Sequence, residues 1–256
     1  MESPSSLVSP GSGLTRRRIA SLVGAGLLAR FGMARAEPTL RLARLENVPD
    51  QALGAEILTA VYRRLGIPVV FVDLPAKRSL LESSEGRVDG EVQRILAVQT
   101  QYPTLVALQP SFNYIEPSAF VKDLALRVEG WPSLAPHSVG IVRGVGSSEA
   151  GTRGMARVEA VSTMDQLMQA LAAGRYEVAV NDRFSGLLII QRLGLGKVLR
   201  VVDPPLQHIP LHHFLHERHR ALVPRVEQEL RNMQGSGELQ RVRQEAVAAM
   251  LRVAQR

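Results

Sequence analysis

The sequence predicts an α/β fold of two lobes, joined by two crossing strands with a cleft between them. Three observations predict it. Short apolar, β-branched runs alternate with amphipathic helical stretches from residue 39 to residue 92, and the alternation restarts at residue 139. Two extended segments, 104–122 and 203–216, are rich in proline and in aromatic or histidine residues, unlike the helices around them. A strand–helix–strand–helix–strand succession implies a parallel sheet with right-handed crossovers.

In the first unit, residues 39–45 read as a strand. Residues 52–65 read as a helix with Ile57, Leu58, Val61 and Leu65 on one face, stopped by Gly66. Residues 68–74 form a buried strand of the parallel kind, 76–85 a helix ended at Gly86, and 88–92 a third strand. In the second unit, 139–142 is a strand followed by a glycine-rich turn and a short helix. Residues 162–173 form the clearest helix: Ser162 and Asp165 fit a capping box, and Met164, Leu167, Met168 and Leu171 make the apolar face. A strand at 177–180, a helix at 183–193 and a strand at 198–202 follow. The last region is helical, with Leu222, Val226, Leu230 and Met233 at helical spacing, a break at Gly235-Ser236-Gly237, and a resumption from 238 to 252.

The N-terminus reads as an export leader. Arg16-Arg17-Arg18 opens an 11-residue apolar stretch, 19–29, and Ala34-Arg35-Ala36 supplies the small residues of a cleavage site. Spanning a bilayer takes roughly 20 apolar residues, so this stretch is too short to be an anchor. Residues 1–36 are therefore expected to be a signal peptide cleaved after Ala36, with the mature protein in the periplasm. The Thr15-Arg16-Arg17-Arg18-Ile19 run resembles the twin-arginine signal, although the general secretion route stays open. Without the leader, 26 basic residues stand against 23 acidic ones, a balance too weak and dispersed for nucleic-acid binding. Cysteine is absent, which removes disulfides, thiol nucleophiles and thiolate metal sites.

Several segments, in order, resemble one family. They are Gly54-Ala55-Glu56-Ile57-Leu58 through Leu65-Gly66, Glu85-Gly86-Arg87-Val88-Asp89-Gly90, Val139-Gly140-Ile141-Val142-Arg143-Gly144, the run from Leu171 to Asp182, and Met233 with Gly235-Ser236-Gly237. Together they are similar to the family 3 extracellular solute-binding proteins, the amino acid-type receptors of ATP-driven (ABC) importers. The resemblance implies a periplasmic-binding-protein type II fold, with lobe one formed by 37–116 plus 212–256 and lobe two by 117–211. It also implies a small-molecule ligand, an amino acid or small carboxylate, a permease partner in the inner membrane, a monomer, and no cofactor. Glu177 stands where the family usually has aspartate, and Arg94 stands earlier than the arginine that commonly grips an amino acid's carboxylate.

In open α/β sheets ligands bind beyond the carboxyl ends of the strands. That rule nominates Glu46, Arg78, Glu91, Arg94, Arg143 and Asp182, each at or just after a predicted strand. Arg94 is the expected carboxylate grip, since guanidinium offers two parallel hydrogen bonds. The competing reading makes it a structural partner of Glu91. Removing it is expected to weaken binding and leave folding intact. Gly144 and Ser147 lie in a turn whose N–H groups suit an anion. Asp182 is a helix N-cap candidate that the resemblance also matches to an ammonium-binding acid. Tyr114, on the first crossing segment, is a cleft candidate because its hydroxyl needs a partner.

Five of the six histidines fall within 208–219. Pro204, Pro205 and Pro210 argue for extended chain there, and no metal-ligand spacing accompanies them, so a solvated return strand is expected and no metal. No nucleophile–base pair, phosphate loop or metal motif points to an enzyme. The alternatives are a dehydratase-like lyase with Glu91 or Asp182 as general acid, and a ligand sensor acting through a separate partner.

Overall fold

The computed structural model describes residues 38–254. The expected leader and the expected cleavage point after Ala36 lie outside them. Among the described residues, no helix is long and apolar enough to cross a membrane.

The chain first lays down β1 (Leu40–Leu45), α1 (Pro49–Leu65), β2 (Val69–Leu74), α2 (Ala76–Ser84), β3 (Gly90–Arg94), α3 (Val98–Gln101), β4 (Leu105–Ala107) and β5 (Asn113–Ile115). It then crosses to β6 (Pro117–Val121), β7 (Val139–Val142), α4 (Gly146–Gly151), β8 (Val158–Val161), α5 (Met164–Ala172), β9 (Val178–Asp182), α6 (Arg183–Arg192) and β10 (Arg200–Val201). The return is β11 (Ile209–His216), followed by α7 (Val223–Gly235) and α8 (Glu238–Val253).

Two mixed sheets result. The first runs β2-β1-β3-β11-β4, with β5 also paired to β11; the second runs β10-β6-β9-β7-β8. In the first, β1 is parallel to β2 and β3 while β11 is antiparallel to its neighbours. In the second, β7 is parallel to β8 and β9, and β6 is antiparallel to β9 and β10. The chain passes between sheets at Glu116 and again between β10 and β11. The return strand enters the first sheet at Ile209, three residues before the division expected at 212.

Helix α1 starts at Pro49 rather than at residue 52, with proline at the first turn and Asp50 beside it. Proline is suited to a first turn, whose N–H groups lack intrahelical partners, and acid there complements the helix dipole. The helix ends on Gly66 in the left-handed region at φ 70°. Helix α5 is capped by Thr163, not Ser162: Thr163 Oγ1 accepts from Gln166 N at 3.1 Å, and Gln166 Oε1 accepts from Ser162 N at 3.1 Å. Strand β3 runs from Gly90, two residues later than expected, although the backbone of Asp89 already bonds to both neighbouring strands. Its N–H donates to Arg41 O and its carbonyl accepts from His216 N.

The histidine-rich segment departs furthest from expectation. It is a strand, but not a solvated one. Residues 211–215 are buried, with His213 at 0 % exposure, because β11 lies between β3 and β4. The approach is so close that a Cβ on Gly90 would fall 2.1 Å from Phe214 O. Only glycine fits there. His213 Nδ1–H donates to Glu91 O at 2.7 Å, which leaves Nε2 to accept from the Tyr62 hydroxyl at 2.7 Å.

The first sheet buries Leu42, Val92 and Leu215 against Leu53, Ile57, Val61 and Tyr62 of α1 and Val226, Leu230 and Met233 of α7. The second sheet has a core on each face. One element crosses the division: Phe184 and Leu188 of α6, which follows the second sheet's β9, pack into the first lobe's core.

Candidate functional site

The two lobes meet where the carboxyl ends of β3 and β9 face the first turns of α1 and α6. Each contributes an acid. Asp50 sits in the first turn of α1, and Asp182 closes β9 and caps α6.

Gln93, fully buried in β3, holds Asp50: its Nε2 donates to the Asp50 carbonyl at 2.8 Å and to its carboxylate at 3.0 Å. Helix α1 leaves room for it at Gly54, where a Cβ would lie 2.3 Å from Gln93 Oε1. That Oε1 accepts from Asn113 Nδ2 at 2.8 Å, and Asn113 Oδ1 accepts from Arg243 Nε at 3.0 Å. On the other lobe, Asp182 accepts from Ser185 N and Glu116 N, both at 3.0 Å. The acid therefore ties the helix start to the crossing point of the chain.

The two carboxyls sense each other. Burial pushes Asp50 up to about 7, the charge of Asp182 adds to the shift, and the Gln93 hydrogen bond and the Arg94 charge oppose it. Burial also raises Asp182, against the backbone N–H groups of Ser185 and Glu116 and the Arg243 charge. Two acids brought together out of water disfavour joint ionisation. A cation placed between them relieves both costs.

Four buried side-chain atoms among the described residues lack a hydrogen-bond partner: Gln51 Oε1, Arg94 Nη2, Asn181 Nδ2 and Ser185 Oγ. All four fall at a strand end or in the first turn of a helix, two on each lobe. The Ser185 hydroxyl is near enough to Asp182 to favour its charge, but it is not aligned as a donor. Leaving a buried polar atom unpaired costs about 1–3 kcal/mol, so such atoms mark where another molecule's polar groups are expected.

Arg94 pairs with Glu91, as its structural reading expects, and keeps one nitrogen open. It is the last residue of β3, with 11 % of its side chain exposed, and its Nε donates to Glu91 at 2.9 Å while Nη2 stays open. Glu91 is fully buried and accepts from the hydroxyls of Ser79 at 2.6 Å and Ser83 at 2.7 Å. Tyr114 lies at the crossing, its ring under the Arg243 guanidinium at 3.9 Å and against His208 at 4.5 Å. Glu46 and Arg78 are exposed, and Arg78 lies 3.5 Å from Glu82 on its own helix. Arg143 is exposed too. Gly144 adopts φ 83°, but its N–H already donates to Glu149 at 2.7 Å, so that turn is closed by the protein's own carboxylate. Ser147 is half-buried in the six-residue helix α4.

Sequence reasoning missed Asp50, Gln51, Gln93, Asn181, Ser185 and Arg243. Pro49-Asp50 carried a usable signal, since proline followed by an acid marks a helix start. Arg243 carried none; it reaches the site from the far end of the chain.

No protein-family model matches the sequence, and no curated protein matches it. Solved structures do. A histidine kinase sensor domain with similarity to periplasmic binding proteins is 18% identical, covering 82% of this chain and 96% of that one at a TM-score of 0.66. The amino acid ABC transporter substrate-binding protein AbpA from Streptococcus pneumoniae, bound to L-arginine, is 14% identical, covering 83% and 96% at 0.64. The ligand-binding core of GluR0 in complex with L-glutamate is 15% identical, covering 84% and 100% at 0.68.

The chain has the periplasmic-binding-protein type II fold. Within that fold Asp50 and Arg94 belong to the first lobe and Asp182 to the second. The type II fold also accounts for the placement of the crossing strands, which run past the edge of this junction and carry Tyr114 and His208.

Proposed function

We propose that this protein captures a small zwitterion, an amino acid with its ammonium between Asp50 and Asp182 and its carboxylate on Arg94, by closure of the two lobes. The observation that carries the reading is the pair of mutually repelling acids, one from each lobe. Bringing the lobes together costs free energy that a ligand ammonium offsets, so closure is coupled to occupancy. The open Nη2 of Arg94 supplies the anion contact, and Asn181 Nδ2 and Gln51 Oε1 supply further partners. Structural neighbours carry amino acids, among them arginine, glutamine and L-glutamate.

In this reading the leader is removed after Ala36 and the mature chain works in the periplasm. It binds without turnover and delivers its ligand to an ABC permease. A sensing role is the second reading, favoured by the anchoring of α6 in the first lobe's core, which limits how far the lobes part, and by a neighbour that is a histidine kinase sensor domain. Co-purification with a permease separates the two. The primary test is a thermal-shift and calorimetric screen of the mature protein against the amino acids. A ligand at one hundred times its Kd stabilises by about 2.7 kcal/mol. Binding that survives unchanged in Asp182→Asn and Arg94→Ala refutes the proposed site.

A further inference from the structure

We propose that the cavity behind the crossing strands is a second binding site, adjacent to the cleft, that takes a small monocarboxylate with an apolar body. The cavity measures about 260 Å³ and is formed by both crossing segments and the α7–α8 turn. Phe112, Tyr114, Pro210 and Leu239 give it an apolar wall, and Arg243 and Gln240 a polar one.

Arg243 is preset for an anion. Its Nε is committed to Asn113, which is 4 % exposed and held in turn by Gln93, and its guanidinium plane lies on Tyr114. Among the described residues, its two Nη groups have no hydrogen-bond partner. A planar guanidinium fixed at one nitrogen presents the remaining pair in the geometry a carboxylate accepts. The charge of the occupant follows from its surroundings. His208, the other basic residue lining the cavity, faces Glu116 at 3.5 Å, and the Arg243 charge is also felt by Asp182, so the cavity offers one guanidinium whose paired Nη donors are open. That balance suits one negative charge and disfavours phosphate. The apolar wall suits a ring or short alkyl body, and an occupant there touches both segments about which the lobes move.

The probe is benzoate, titrated calorimetrically into the mature protein at low ionic strength, with benzamide as its uncharged counterpart. The expected result is one saturable site per chain, at least tenfold tighter for benzoate than for benzamide. Arg243→Lys keeps the charge but loses the paired donors, and Gln240→Trp fills the cavity from an exposed position; each is expected to weaken benzoate at least tenfold. Arg94→Lys, which alters the cleft guanidinium while keeping a cation beside Glu91, is expected to leave benzoate binding intact, so this test stands apart from that of the amino acid reading. Equal binding of benzoate and benzamide, no saturable binding, or loss in Arg94→Lys but not in Arg243→Lys overturns the proposal.

Discussion

The side-chain amide of Gln93 reaches Asp50 twice, at the carbonyl and at the carboxylate, from a strand that the acid's own helix packs upon. This contact holds one acid of the cleft in place, and it depends on Gly54 leaving space for the amide. Replacing Gln93 by leucine strands the Asp50 carboxylate and the Asn113 amide. The expected loss is about 1–3 kcal/mol in urea denaturation, with an unchanged slope against denaturant. An unaltered midpoint would show that the contact carries no weight.

Ligand affinity is expected to depend on pH through Asp50. Its carboxyl holds a proton up to about 7, and an ammonium ligand binds the ionised form. Below that value, binding releases a proton, so affinity rises about tenfold per pH unit and levels off above it. In the free protein the same shift has the opposite consequence. As pH rises from about 4 to 7, the unfolded chain gives up this proton before the folded one, and the fold loses stability. Calorimetry from pH 5 to 8 measures the slope, and Asp50→Asn is expected to flatten it.

His213 gives a second pH signature. Burial lowers it to about 4, so it stays neutral between Glu91 O and the Tyr62 hydroxyl. Between pH 6.5 and 4 the unfolded chain takes up a proton that the folded chain refuses, and stability falls with pH by about 3 kcal/mol. Tyr62→Phe, which leaves Nε2 without its donor, is expected to cost a further 1–3 kcal/mol, to order of magnitude. Melting curves at pH 7 and 4, taken in an Asp50→Asn background that removes the opposite trend of that carboxyl, check both.

Arg94→Ala, expected from sequence to spare the fold, is now expected to weaken both ligand binding and stability. Glu91 is fully buried and would lose its one cation, and breaking such a pair costs about 3–5 kcal/mol. Circular dichroism melts of the free protein measure this. An unshifted melting temperature would falsify the account of Glu91.

Phe184→Ala tests the clasp between lobes. The ring belongs to the second lobe's helix but sits in the first lobe's core. Its loss is expected to cost about 3–5 kcal/mol and to raise the radius of gyration in solution scattering as the lobes separate. A melt that shifts without expansion assigns the ring to local packing alone.

What the sequence determined by itself follows from local periodicity. The strand–helix alternation, its restart at residue 139, the proline-marked crossings and the stop at Gly66 all depend on neighbours within one or two turns. They suffice for two α/β lobes, and they place Arg94 and Asp182 at strand ends. Tertiary structure decided what each polar side chain is used for. The histidine run reads as solvated until β3 and β4 close over it, and Gly144 reads as an anion turn until Glu149 fills it. Asp50 becomes half of an acid pair only because α6 brings Asp182 to it, and Arg243 joins them from 130 residues beyond Asn113. Burial and charge coupling depend on distance in space, and sequence periodicity carries no measure of that distance.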